Sequence, residues 1–127
     1  MRTIVNPPEI AKPASSYHHA VVISAPNRLL RAAGQMGERP DGSLSSDFRE
    51  QAEQAWTNIE AILAAADMTV SDLTKVTSYL TNRGDIATYV AVHRQRVGPY
   101  LPPWTLVLVA GLGKPEYLVE VDIEAMR

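Results

Sequence analysis

The closing stretch, LPPWTLVLVAGLGKPEYLVEVDIEAMR from Leu101 to Arg127, constrains the fold more than any other part of the chain. It holds two β-type runs joined by a short Gly/Pro turn. The first, Trp104 to Ala110, is apolar on both faces. The second alternates strictly: Val119, Val121, Ile123 and Ala125 on one face, Glu120, Asp122 and Glu124 on the other. Side chains alternate along a strand, so this pattern specifies one buried face and one acidic face. A carboxylate row beside a fully buried strand calls for a cleft, a partner chain or a function. A solvated face, or one paired with Arg or Lys of a neighbour, is the plainer reading.

The rest of the chain supplies what packs against this stretch. Thr3 to Val5 reads as a short strand and is followed by a Pro/Ser-rich segment. His19 to Ser24 reads as a strand, Pro26-Asn27 as its turn, and Leu29 to Met36 as the returning strand of a hairpin. Asp47 has N-cap character, with Glu50 three residues on. The helix it opens carries an apolar stripe of Phe48, Ala52, Ala55, Ile59, Ile62 and Ala66. Leu73 to Thr81 is rich in β-branched residues and reads as a strand. A second helix starts near Asp85, with Ile86, Tyr89, Val90, His93 and Val97 on its apolar face and Gly98-Pro99 as its stop. The expectation is one α+β domain over residues 1–127, with two helices packed on one face of a sheet. The other face, carrying Thr105, Val107 and Val109, is expected to be apolar and to need a cover, most economically a second copy of the chain.

The 127 residues contain no cysteine, which removes disulfides, thiolate metal sites and cysteine nucleophiles. The formal net charge is −2 and no basic block occurs, so a nucleic-acid partner is not expected. No apolar run approaches the ~20 residues of a membrane span. A cytoplasmic protein with no membrane partner is the expectation. His18 and His19 fall on opposite faces if they lie in a strand, which disfavours a shared metal ion; no metal and no cofactor are expected. One of the two could line a pocket with Tyr17. His93 on the helix stripe is expected as a buried, hydrogen-bonded histidine. Gly34-Gln35, at a strand end, could offer backbone N–H groups to an anion.

The AAGQMG segment, the helix QAEQAWTNIEAILAAADMTVSDLTKVTSYL, the helix DIATYVAVHRQRVG and the closing PPWTLVLVAGL…YLVEVDIEA together resemble the RidA (YjgF-type) family of reactive-intermediate (enamine/imine) deaminases. The resemblance implies a chorismate-mutase-like fold, a homotrimer whose sheets form a central barrel, and a small-molecule ligand in a cleft at each subunit interface. It implies hydrolysis of 2-enamine or 2-imine acids to 2-keto acids and ammonia. Carried over residue by residue, it places Tyr17, Gly34, Gln35, Trp104 and Thr105 at the substrate. Asp122 is the water-handling acid if the final Ile-Glu-Ala is aligned, and Glu120 is the alternative. An asparagine of the family falls on Val90.

One departure stands out. The family's carboxylate-binding arginine falls on Trp104 in Pro102-Pro103-Trp104-Thr105. Indole has one N–H and no charge, so it cannot replace a bidentate guanidinium. The resemblance therefore implies a substrate different from the small 2-aminoacrylate type, or a non-catalytic trimer that binds a metabolite or a partner protein. On this reading Trp104→Arg is expected to raise activity on a small 2-imino acid.

Overall fold

A computed structural model describes residues 1–127. Its elements are β1 (Arg2–Val5), β2 (Ala20–Ile23), β3 (Leu29–Arg31), α1 (Phe48–Ala65), β4 (Leu73–Leu80), α2 (Ile86–Val97), β5 (Trp104–Leu108) and β6 (Val119–Met126). Two antiparallel strands, β1 and β2, form a small sheet. The main sheet has the order β3-β6-β4-β5, with β4 and β5 parallel and the other pairs antiparallel. This is the expected α+β architecture, and α1 packs on β6 and on α2.

The alternation of β6 is realised in full. Val119, Val121, Ile123 and Ala125 are at most 1% exposed, while Glu120, Asp122 and Glu124 are half-buried on the opposite face. Each fully buried Val or Ile contributes roughly 1.5–3 kcal/mol of transfer free energy, which is enough to fix the register. Asp47 caps α1 through its carboxylate, which accepts the Glu50 N–H at 3.0 Å. Gly98 ends α2 with φ 56°, a conformation that favours glycine.

Five expectations about the fold need correction. The hairpin of His19–Ser24 with Leu29–Met36 does not form. β2 pairs with β1, and β3 pairs with β6. Loop closure costs little more for a longer loop, so the local partner has no decisive advantage over β1. The run Leu29–Met36 is a strand only to Arg31, after which Gln35 makes a single bridge to Val121. The closing runs are not neighbours, because β4 lies between β6 and β5. As an edge strand β5 is not fully buried: Val107 and Leu108 are 37% and 38% exposed.

The fourth correction concerns the sheet's second face, which is not apolar. It carries Lys75, Thr77 and Tyr79 of β4 with Glu120, Asp122 and Glu124 of β6, all half-buried. The helix stripes also shift by about a turn's edge. Leu63 and Val92 are buried where Ile62, Ala66 and Val90 were expected, while Trp56 packs in the core beside Ile59 as its pairing with that residue implied. Gln51, fully buried, donates to the carbonyls of Ser45 (2.8 Å) and Glu116 (3.0 Å) and accepts the Leu118 N–H (3.0 Å), tying α1 to the loop before β6.

Candidate functional site

The chain before β2 is held against the start of β5. The His18 N–H donates to the Leu101 carbonyl at 2.8 Å, and Arg94 of α2 donates to Ser16 Oγ at 2.9 Å. Leu101 itself has φ 47°, a left-handed conformation that costs a non-glycine residue roughly 1–2 kcal/mol. These contacts leave a cavity of about 390 Å³ lined by Tyr17, His18, His19, Lys75, Trp104 and Thr105, with Pro103 and Leu106. Both histidines line it, because β2 begins only at Ala20 and strand alternation does not apply to them.

Their neighbours fix the neutral tautomers. Asn6 Oδ1 accepts the His19 N–H at 2.7 Å, so its amide nitrogen is the group 2.8 Å from His18 Nδ1. His18 therefore carries its proton on Nε2. The His19 Nε2–H donates to the Ala11 carbonyl at 2.6 Å.

Behind the cavity wall lies a dry aromatic cluster. Trp104 stacks on His93 at 3.8 Å between ring centroids and 15° between planes. Its N–H donates to Ser78 Oγ at 3.0 Å, and that hydroxyl donates to Tyr89 Oη at 2.5 Å. Trp56 N–H also reaches Tyr89 Oη at 3.2 Å. Burial pushes the Tyr89 phenol up to about 12. His93 is buried as expected but is not hydrogen-bonded: neither ring nitrogen has a partner. Desolvation lowers its pKa to about 4, and the Ser16 backbone opposes the shift without meeting hydrogen-bond geometry. Trp104 is thus both the cavity's rim and part of the core.

The remaining sequence-predicted residues gather elsewhere on the main sheet. Gly34 follows β3, and Gln35 bridges β6 through two backbone hydrogen bonds to Val121, at 2.7 and 2.9 Å. A Cβ on residue 34 would overlap the Glu120 carboxylate, so glycine is what lets Glu120 lie across this segment. Asp122 accepts the Tyr79 O–H at 2.9 Å, and this bond raises the Tyr79 pKa above its usual value. The predicted residues therefore fall into two groups. Tyr17, Trp104 and Thr105 sit at the β5 edge. Gly34, Gln35, Glu120 and Asp122 sit towards β3, with β4 between the groups. Val90 is half-buried on α2. No group of three or more His, Cys, Asp or Glu side chains is placed to hold a metal ion.

Sequence reasoning missed Lys75, Ser78 and Tyr79. Ser78 and Tyr79 left no pattern in the sequence. Lys75 did, because Leu73 and Val76 are both buried yet three apart, which a regular strand does not allow.

Residues 8–127 match the family model described as Endoribonuclease L-PSP. The chain belongs to this family. It is 34% identical to the RutC family protein YjgH of Escherichia coli K12 over 95 residues, covering 73% of this chain and 72% of that protein. It is 33% identical to TdcF of the same organism, provisionally named a reactive intermediate deaminase, over 77% of each chain. Among solved structures, a Rid-family protein of unknown function from Yersinia pestis, YyfB, superimposes with a TM-score of 0.87 at 26% identity, covering 99% of this chain and 98% of that one. RidA from an Antarctic Psychrobacter superimposes with a TM-score of 0.75 at 27% identity, covering 98% of this chain and 99% of that one. The RidA/YjgF-type resemblance is therefore real over the whole fold.

Proposed function

We propose that the protein hydrolyses a small enamine, imine or related labile intermediate at a cleft between copies of a homotrimer. The observation that carries this reading is Glu120 lying across Gly34, half-buried on an otherwise uncovered sheet face. A carboxylate held this way can take a proton from water as the water oxygen adds to a C=N carbon and the C=N π bond opens, and pass that proton to the nitrogen to give a carbinolamine. The carbinolamine then collapses, releasing ammonia and leaving a carbonyl. Asp122, engaged by Tyr79, keeps a second oxygen for the same water. The two groups of site residues lie apart in one chain, and apposing the β5 edge of one copy to the β3–β6 side of another completes the site. The naming of TdcF as a deaminase supports the chemistry. The acidic row opposes a phosphate backbone, which favours a small substrate over RNA despite the description of the family model.

Ammonia release from a panel of enamine and imine substrates tests this. The double variant Glu120→Ala plus Asp122→Ala is expected to lose nearly all of it, and unchanged release would sink the assignment. A second reading, a trimer that binds a metabolite without turning it over, is favoured by Trp104 standing where the family's arginine falls. Ligand-dependent thermal shifts without any ammonia release would decide for that reading.

A further inference from the structure

The cavity at the β5 edge holds one charged side chain, Lys75, that the hydrolysis proposed above does not use. Lys75 sits at a β-bulge: Leu73 pairs with Ala125 and Lys75 with Glu124, so two steps on β4 oppose one on β6. Without the bulge, alternation from buried Leu73 would turn Lys75 towards the helices. With it, Val76 takes the core and Lys75 is re-aimed onto the open face. The distortion leaves the Thr74 hydroxyl buried without a partner. Such a cost calls for a compensating role at the residue it re-aims.

The ammonium is held but not neutralised. Lys75 Nζ donates to Thr105 Oγ1 at 2.7 Å, which uses one of its three protons. Glu124, its cross-strand partner, turns to Arg31 at 3.5 Å, and none of the four ion pairs includes Lys75. Lys75 is the only Lys or Arg lining the cavity. The walls beside it are flat, and Tyr17 stands steeply to both of its aromatic neighbours. Tyr17 meets Trp104 at 6.4 Å and His19 at 5.9 Å, each at 71° between planes. A cavity of about 390 Å³ is near the small end of ligand sites, which start at ~300 Å³.

We propose that Lys75 is the anion anchor of this cavity, binding the carboxylate of a small planar, conjugated acid that lies against Trp104 and Tyr17. The proposal takes the cavity as the substrate pocket of the reaction proposed above, and adds the substrate's class. A single ammonium at the strand edge does for this chain what no group on Trp104 can do. A point charge tolerates more than one carboxylate orientation, whereas the aromatic corner selects for flatness.

Calorimetric titration of the intact protein with benzoate, benzamide and cyclohexanecarboxylate separates charge from shape. Benzoate is expected to bind at least about tenfold more tightly than the other two. Lys75→Met should weaken benzoate about tenfold and leave benzamide unchanged, while Lys75→Arg should stay within about threefold of wild type. Thermal melts of both variants check that they are folded. Equal benzoate affinity in wild type and Lys75→Met overturns the proposal, as does an absence of benzoate binding at millimolar concentration. Cyclohexanecarboxylate binding as well as benzoate would overturn the planar substrate class. These readouts need no turnover. If the deaminase reading fails, Lys75-dependent binding persists; if only the anchor is wrong, ammonia release persists in Lys75→Met with an unchanged KM.

Discussion

The two faces of the main sheet are built on opposite terms. Beneath the helices, Trp56, Ser78, Tyr89, His93 and Trp104 form a dry cluster in which both indole N–H groups and the Ser78 hydroxyl donate to a neighbour, Tyr89 Oη accepts twice, and neither imidazole nitrogen has a partner. On the open face, Lys75, Glu120 and Asp122 are half-buried, and their charges are held by neutral groups or lie over glycine. The closed face is organised to exclude water, and the open face keeps charge available to a ligand. Trp104 and Thr105, adjacent on β5, stand one on each side of that division.

Breaking the closed face should have the largest effect. Trp104→Arg places a guanidinium against His93 and Ser78, where a poorly paired ion costs several kcal/mol. Urea unfolding is expected to show a loss of ~3 kcal/mol or more, with no gain in turnover. That reverses the expectation carried over from the family resemblance, which placed residue 104 at the substrate, and agrees with the plainer reading of Trp104 as core packing. A gain on a small 2-imino acid without loss of stability would show that the ring is not part of the core.

Acid should open the same cluster. The unfolded chain protonates His93 near its ordinary 6.5, whereas the folded chain holds it neutral to about 4. Its contribution is therefore fully present above pH 6.5 and is lost as the pH falls towards 4, by about 1.4 kcal/mol per unit and ~3 kcal/mol in all. Comparing the unfolding free energy of wild type and His93→Phe across this range isolates the effect. Parallel pH profiles would mean the imidazole finds a partner in solution.

The open face should answer in activity rather than stability. Gly34→Ala pushes the Glu120 carboxylate from its place, and a displacement of about 1 Å is expected to lower kcat ~100-fold with little change in Tm. Tyr79→Phe removes only the O–H held by Asp122 and should cost a few-fold in kcat. An effect as large as that of Gly34→Ala would move the water-handling role from Glu120 to Asp122.

What the sequence made legible was local. Asp47, the helix stripes, Gly98 and the alternation of Val119 to Met126 act through neighbours three or four residues away or through one strand's own period. What it hid depended on distant partners. β2 could have paired with β3 on its turn signal, and only the competing β1 decides otherwise. The unpaired state of His93 depends on three rings, Trp56, Tyr89 and Trp104, drawn from α1, α2 and β5. Lys75 faces the cavity because β4 bulges where it pairs with β6, although the spacing of Leu73 and Val76 recorded it. Residues implied by the family resemblance fell into two separated groups, because one chain's sequence says nothing about how edges of two copies meet.

The central claim is that each site is shared between copies, and subunit mixing tests it most directly. One chain would carry Lys75→Met with Tyr17→Phe, disabling the β5-edge group. The other would carry Glu120→Gln with Asp122→Asn, disabling the carboxylate group. Each alone is expected to release almost no ammonia. Co-expressed and purified as mixed oligomers, they should recover a clear fraction of wild-type activity, because some interfaces then pair two intact groups. Mixed oligomers no more active than their parents would place the whole site within one chain and contradict the account.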